Sequence, residues 1–240
     1  MDTIKINKGN AKIIAHRGLS GLERENTASA FVAAGNRSYF GIETDVRPTA
    51  DGNFVLLHDD DTARCGIDSV FPEKSTLAEV QAVRLLDMDG KRGRYDLRVP
   101  ELRDYLSICK RYDKIAVLEF KGAFNESQMA SLVDVIEQEY SLEKIIFISF
   151  HFDNLILLRR FCKDAHCQFL TGELNEEIVK ILKDHKMGID IWQGSLDEES
   201  KVKMLLENGI EVNVWTVDNK ETAEKLISWG VSYITSNILE

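Results

Sequence analysis

The stretch IIAHRGLSGLERENTASAF, Ile13 to Phe31, decides how the rest of the chain is read. An apolar run of strand type ends abruptly on His16, Arg17 and Gly18. A polar loop follows, and Asn26-Thr27 opens a segment of helical character, with Asn26 as its expected cap. Gly18 lets the chain turn tightly after the strand. Strand, turn and helix in that order make one unit of an alternating α/β chain, and the polar tripeptide stands where the strand gives way to the turn.

The unit repeats. Strand-type runs are predicted at Lys12–His16, Gly41–Val46, Ile115–Phe120, Lys144–Phe150, Gln168–Thr171, Ile189–Trp192, Glu211–Thr216 and Ser232–Thr235. Helical patterns separate most of them, at Thr27–Ala34, Leu102–Arg111, Glu126–Tyr140, Phe152–Cys162, Glu176–Asp184, Glu198–Asn208 and Lys220–Trp229. This many strands in a chain of 240 residues favour a closed (β/α)8 TIM barrel over an open sheet. No linker or compositional break divides the chain, so one domain is expected over 1–240.

Regularity fails between Arg47 and Pro100. In RPTADGNFVLLHDD the pair Asp51-Gly52 signals a tight turn, too short for a parallel return, so Phe54–His58 reads as the returning arm of a hairpin. That fold brings His58 back beside Asp45. The segment beyond it, about 59–98, is too long for an ordinary barrel loop and is expected to be a small insertion. The other possible count makes Phe54–His58 a barrel strand and Ser232–Thr235 a closing segment.

A net charge of -10 argues against non-specific binding to nucleic acid or an anionic membrane. Cys65, Cys109, Cys162 and Cys167 show neither a CxxC pair nor zinc-ligand spacing. No apolar run is long enough to span a membrane, and the N-terminal stretch lacks the long apolar core of a signal peptide. The expected setting is cytoplasmic, without stable membrane association; the oligomeric state is open.

In GIETDV, Glu43 and Asp45 lie two apart and share one strand face; Glu119 and Lys121 do the same in AVLEFKG. The strand ends of a (β/α)8 barrel converge on its active site. Glu43, Asp45, Glu119, His16, His58, Arg17 and Lys121 would therefore meet in one mouth. Three ionised carboxylates packed together repel, and a divalent cation resolves the conflict. An all-oxygen shell favours Mg²⁺ or Ca²⁺ over Zn²⁺. Arg17 and Lys121 supply charge for an anion, and a guanidinium suits the bidentate grip of a phosphate. Two histidines suit acid and base work near neutrality. Together these groups point to phosphodiester cleavage.

The chain resembles the glycerophosphodiester phosphodiesterase family. The marks are HRG followed by ENT, then ETDV, TADG and HD, the EFK strand end, Ser149-Phe150, and VWTVD at Val214–Asp218, all in the family's order. The resemblance implies a (β/α)8 barrel with a small insertion after the hairpin of the second strand. It makes His16 and His58 the acid/base pair, and Glu43, Asp45 and Glu119 the ligands of Mg²⁺ or Ca²⁺. Arg17 and Lys121 would hold the phosphate, Phe150 and Trp215 would wall the glycerol moiety, and Asp59 of the HD pair would orient His58. The implied reaction is metal-dependent hydrolysis of a small-molecule glycerophosphodiester to sn-glycerol 3-phosphate and an alcohol. The attacking oxygen is either water or a glycerol hydroxyl that forms a transient cyclic phosphate.

Three positions depart from the family's pattern. Arg24 replaces a proline and is expected to loosen the loop above His16; Ser236 replaces an aspartate; Glu101 replaces a threonine as a cap. Phe150 and Trp215 would also serve as barrel-filling bulk, and His151, His166 and His185 belong to no motif. A lysophospholipase D-type action on lipids would call for an exposed apolar rim, yet the insertion's Val70, Phe71, Leu85, Leu86 and Met88 are few and of helical pattern. A catalytically inactive phosphometabolite-binding barrel would have lost a histidine or carboxylate, and none is missing. A Schiff-base aldolase would need a mid-strand lysine.

Overall fold

The computed structural model describes residues 2–240. Its strands are, in chain order, β1 (Lys12–Ala15), β2 (Gly41–Pro48), β3 (Phe54–Leu56), β4 (Ile115–Phe120), β5 (Ile145–Ser149), β6 (His166–Thr171), β7 (Gly188–Trp192), β8 (Val212–Trp215) and β9 (Tyr233–Ser236). Parallel pairing runs β1-β9-β8-β7-β6-β5-β4-β2, and β1 also pairs with β2. The ring closes as a (β/α)8 TIM barrel. β3 lies outside it, antiparallel to β2 with Val46 opposite Leu56. Phe54–Leu56 is therefore the hairpin arm. The count that made it a barrel strand is overturned, since β9 pairs with both β1 and β8.

The helices are α1 (Ala28–Gly35), α2 (Leu77–Ala82), α3 (Leu102–Tyr112), α4 (Glu126–Glu139), α5 (Phe152–Phe161), α6 (Glu176–His185), α7 (Glu199–Glu207) and α8 (Lys220–Ser228). Short polar side chains start several of them: Asn125, Asn175 and Asn219 accept backbone N–H bonds from Gln128, Ile178 and Thr222. No described helix is long and apolar enough to cross a membrane.

The strand period of two divides the core. Ile13, Ala15, Ala116, Leu118 and Phe147 face outward into the main cluster beneath the helices. Ile14, Val117, Ile146, Ile148 and Leu170 face the barrel interior. Glu119 is the next inward position above Val117, and His16 the next above Ile14. The same alternation that fills the barrel with aliphatic bulk thus delivers polar groups to its mouth.

The insertion is less helical than its pattern suggests. Only α2 is an α-helix there, while Leu85 and Val70 contribute from outside it. Val55, Cys65, Val80, Val83, Leu85, Leu97 and Val99 bury a small core of their own. Two isolated bridges, Gly66 to Leu85 and Arg84 to Arg98, hold it without a regular sheet.

Gly18 shows how closely the first turn fits. Its φ is +74°, its N–H donates to the Glu43 carbonyl at 3.1 Å, and a Cβ there would lie 2.7 Å from Ala30. Gly18→Ala combines left-handed strain with overpacking and should cost about 2 kcal/mol. Differential scanning fluorimetry should show Tm lower by roughly 4–8 °C for a domain of this size.

Candidate active site

Strand register sets the levels of the site. Ala15 is opposite Ile42, so His16 follows at the height of Glu43; Asp45 is directly opposite Glu119. One oxygen from each of Glu43, Asp45 and Glu119 lies within 4.8 Å of the others, and all three residues are buried. The Arg17 N–H donates to Glu43 Oε2 at 2.7 Å, and His16 Nε2 is 3.9 Å from the same oxygen. Asp45 Oδ2 accepts from Asn26 Nδ2 at 2.7 Å and faces Arg17 Nε at 3.4 Å. Lys121 Nζ reaches Glu119 Oε1 at 2.7 Å and Asp45 Oδ1 at 3.6 Å.

The second oxygens tell what the cluster fits. Glu43 Oε1 and Asp45 Oδ1 are buried without a hydrogen-bond partner. Buried carboxylate oxygens left unpaired are costly and call for an explanation. In an all-oxygen set whose ligand atoms lie within 4.8 Å of one another, they fit a hard divalent cation.

The electrostatics agree. Burial raises Glu43 well above the usual carboxylate range, and Asp45 and Glu119 add to it. Burial and then Asp45 push Glu119 up to about 7. Burial acts on Asp45 in the same sense, but Arg17 and Lys121 overcome it and hold that carboxyl low. Burial, with Arg17 beside it, lowers His16 to about 4, and burial likewise lowers His58. Near neutrality both rings are uncharged, each with one proton and one free lone pair.

The partners of each ring fix where that proton sits. His16 Nδ1 is 2.8 Å from Asn237 Oδ1, and Asn237 Nδ2 donates to Asp218 Oδ2 at 2.6 Å. The amide therefore presents its oxygen, the proton belongs on Nδ1, and Nε2 faces the carboxylates. His58 Nδ1 meets Asp59 Oδ1 at 2.7 Å. Asp59 holds the ring as the HD pair implied. The hairpin returns His58 to the barrel mouth, with the Leu57 N–H bonded to the Asp45 carbonyl at 2.9 Å.

All nine sequence-predicted residues meet here. His16, Arg17, Glu43, His58, Glu119, Phe150 and Trp215 line one cavity, and Asp45 and Lys121 touch its wall. Phe150 stands edge-on to Trp215 with ring centres 5.7 Å apart, and it is 48% exposed, which excludes a role as core filler. The Trp215 indole N–H donates to the Asp190 carbonyl at 3.2 Å. His151 occupies the N-cap position of α5 without a capping side-chain bond, whereas His166 pairs with Glu211 at 2.6 Å and His185 packs edge-on to Phe152.

Several expectations need correction. Asn26 does not cap α1: Thr27 is the N-cap and accepts from the Ala30 N–H. Asn26 instead takes a left-handed φ of 51° and bridges inward, accepting from Thr44 and donating to Asp45. Arg24 does not loosen its loop. Its Nε donates to the Leu86 carbonyl at 2.7 Å and its Nη2 to that of Asp87, tying loop to insertion. Ser236 needs no aspartate, since its hydroxyl donates to Asp218 at 2.8 Å. Asn237 and Asp190 were not anticipated. Asp190 lines the same cavity, buried, with burial raising its carboxyl and Oδ1 unpartnered; a carboxylate in the middle of GIDIW was its only signal.

Asn26→Ala should lower the unfolding free energy by about 2 kcal/mol, because a buried hydrogen bond to a charged carboxylate is lost. Loss of a helix cap alone would cost about 1 kcal/mol. Urea denaturation separates the two, with the larger loss expected.

The profile of the glycerophosphoryl diester phosphodiesterase family matches residues 16–239. A glycerophosphodiester phosphodiesterase of Caldanaerobacter subterraneus subsp. tengcongensis is 27% identical over 228 residues, covering 94% of this chain and 93% of its own. Among solved structures, a glycerophosphodiester phosphodiesterase from Parabacteroides distasonis is 27% identical, with TM-score 0.79 over 96% of this chain and 94% of its own. An Oleispira antarctica phosphodiesterase, solved with the product sn-glycerol-3-phosphate, shares the fold at TM-score 0.88 and 23% identity, over 98% and 96%.

Proposed function

The chain belongs to the glycerophosphoryl diester phosphodiesterase family, and from that premise we propose that it hydrolyses glycerophosphodiesters to sn-glycerol 3-phosphate and an alcohol. We read 1–240 as one catalytic domain, with the segment at about 59–98 inserted after the hairpin. The observation that carries the reading is that two histidines and Arg17 line one cavity with a buried carboxylate cluster in which Glu43 Oε1 and Asp45 Oδ1 have no hydrogen-bond partner. The product held by the Oleispira relative supports the substrate class.

Glu43, Asp45 and Glu119 would hold Mg²⁺ or Ca²⁺, which when bound supplies charge neutralisation at the phosphoryl oxygens. The chain's own groups do the rest. Arg17 grips a non-bridging oxygen and stabilises charge as the P–O bond breaks, and Lys121 adds a second cation. One histidine takes the proton from the attacking oxygen onto its bare Nε2. The other, which must first take up a proton at Nε2 from solvent, delivers that proton to the leaving alkoxide, and the first then releases its own to solvent. Asn237 and Asp59 keep each ring's Nε2 free for that work. Phe150 and Trp215 wall the glycerol side of the cavity.

The deciding assay follows release of glycerol 3-phosphate from glycerophosphocholine and glycerophosphoethanolamine, with EDTA and with Mg²⁺ or Ca²⁺ restored. Activity abolished by EDTA and recovered with one ion is the expected result. His16→Ala and His58→Ala should each lower turnover about a hundredfold or more. Near-normal turnover in either would remove that ring from its role. Folded protein without activity on either diester would redirect the search to lipidic diesters, and then to a non-catalytic binding role.

Ion binding should also be visible without turnover. Glu119 is raised from 4.5 to about 7, so the folded, ion-free chain keeps a proton that the unfolded chain has released. Its contribution to stability is greatest below 4.5 and declines as pH rises through about 7. A divalent ion must displace such protons. The rise in Tm on adding Mg²⁺ or Ca²⁺ should therefore grow as pH rises from about 5 through about 7. A pH-independent rise would contradict binding at this cluster.

A further inference from the structure

Arg64 lies in the segment that follows the hairpin, outside the strands that build the site. Its guanidinium makes two forked contacts. Nη1 and Nη2 donate to Glu25 Oε2 and Oε1 at 2.8 and 2.7 Å, while Nε and Nη2 donate to Asp59 Oδ2 and Oδ1 at 2.5 and 3.3 Å. Each carboxylate has one further partner of consequence. Glu25 Oε1 accepts from Arg17 Nη1 at 2.9 Å, and Asp59 Oδ1 meets His58 Nδ1 at 2.7 Å. The chain of contacts runs Arg17–Glu25–Arg64–Asp59–His58 without a gap.

We infer that Arg64 is a positioning residue that fixes the phosphate-gripping Arg17 and the acid/base His58 relative to each other through Glu25 and Asp59. The inference rests on the phosphodiesterase reading and deepens it.

The geometry favours positioning over bulk stability. Arg64 is about half exposed, at 46% of its side chain, and exposed ion pairs contribute little to folding. What a planar guanidinium adds is direction, because its five donors fork in fixed orientations and can hold two carboxylates at once. An ammonium cannot. Without Arg64, Glu25 would keep Arg17 as its cation and Asp59 would keep His58, but the side-chain bridge that joins the two pairs would be gone. They sit on different elements, the loop after β1 and the end of the hairpin. Small misplacements of reacting groups are expensive in rate.

The test is a set of variants assayed on glycerophosphocholine with the activating ion present. Arg64→Met should lower kcat by about tenfold or more with KM changed less, while Tm stays within about 3 °C. Arg64→Lys should restore only part of the loss. Adding Arg64→Met to the Glu25→Gln/Asp59→Asn double variant should cost less than about threefold further, because the route is already cut. A kcat within about threefold of wild type in Arg64→Met, full rescue by lysine, or a full additive loss in the triple variant would each overturn the inference. Should Arg64→Met fail to fold, Arg64→Gln takes its place in the same cycle. Calorimetric binding of sn-glycerol 3-phosphate with the ion present reads the Arg17 arm without turnover. Arg64→Met and Glu25→Gln should weaken binding and Asp59→Asn should not. Equal affinity in all of them would also overturn the inference. Wild-type protein inactive on the diester would count against the phosphodiesterase reading, and this binding series would still decide the role of Arg64.

Discussion

Three buried carboxylates at the ends of two neighbouring strands are the constraint around which the rest of the site is arranged. Placing Glu43, Asp45 and Glu119 together costs desolvation of each and repulsion among all of them. The chain offsets part of that cost locally. Arg17 and Lys121 face the cluster, Asn26 donates into Asp45, and the Arg17 backbone N–H donates into Glu43. The offset is incomplete, as the raised carboxyls of Glu43 and Glu119 record. The residual imbalance is what a bound cation would relieve.

Much of this arrangement was legible in the sequence because it depends on short periodicities. Glu43 and Asp45 share a face by the strand period alone, and Glu119 and Lys121 likewise. Convergence of strand ends follows once the chain is read as a closed barrel. Phe54–Leu56 could be placed as a returning arm because two turn residues cannot carry a parallel crossover.

The unread part consists of contacts made only when the ring closes. Asn237 holds His16 across 221 positions, and Arg64 reaches Glu25 across 39. No local pattern encodes either. Asn26 misled for a related reason. Asparagine before a helical run is a good cap, but here Thr27 fills that role and frees Asn26 to enter the left-handed region, where it bridges Thr44 and Asp45. A proline-to-arginine change looked like a loosened loop because a sequence shows what Arg24 lacks, not the Leu86 and Asp87 carbonyls it finds.

The hairpin explains how the barrel presents a second histidine without a ninth position in its ring. β2 runs through Pro48, two residues beyond the last residue that pairs with β4, and every residue of it is buried. The strand rises past the mouth, turns at Asp51-Gly52, and descends as β3. A parallel crossover would have carried the next residues round the outside of the barrel. The descending arm instead delivers His58 to the mouth, where Asp45 ends its own side of the cluster. A short antiparallel arm would slip or fray if nothing held its lower end. Arg47 supplies the hold: from β2, its guanidinium donates to the Leu57 and His58 carbonyls at 3.1 and 2.9 Å, and to Asp60 at 2.8 Å. The backbone of His58 is thus fixed from one side by Arg47, and its ring from the other by Asp59. The carboxylate cluster and His58 owe their proximity to a single strand that is longer than the barrel needs.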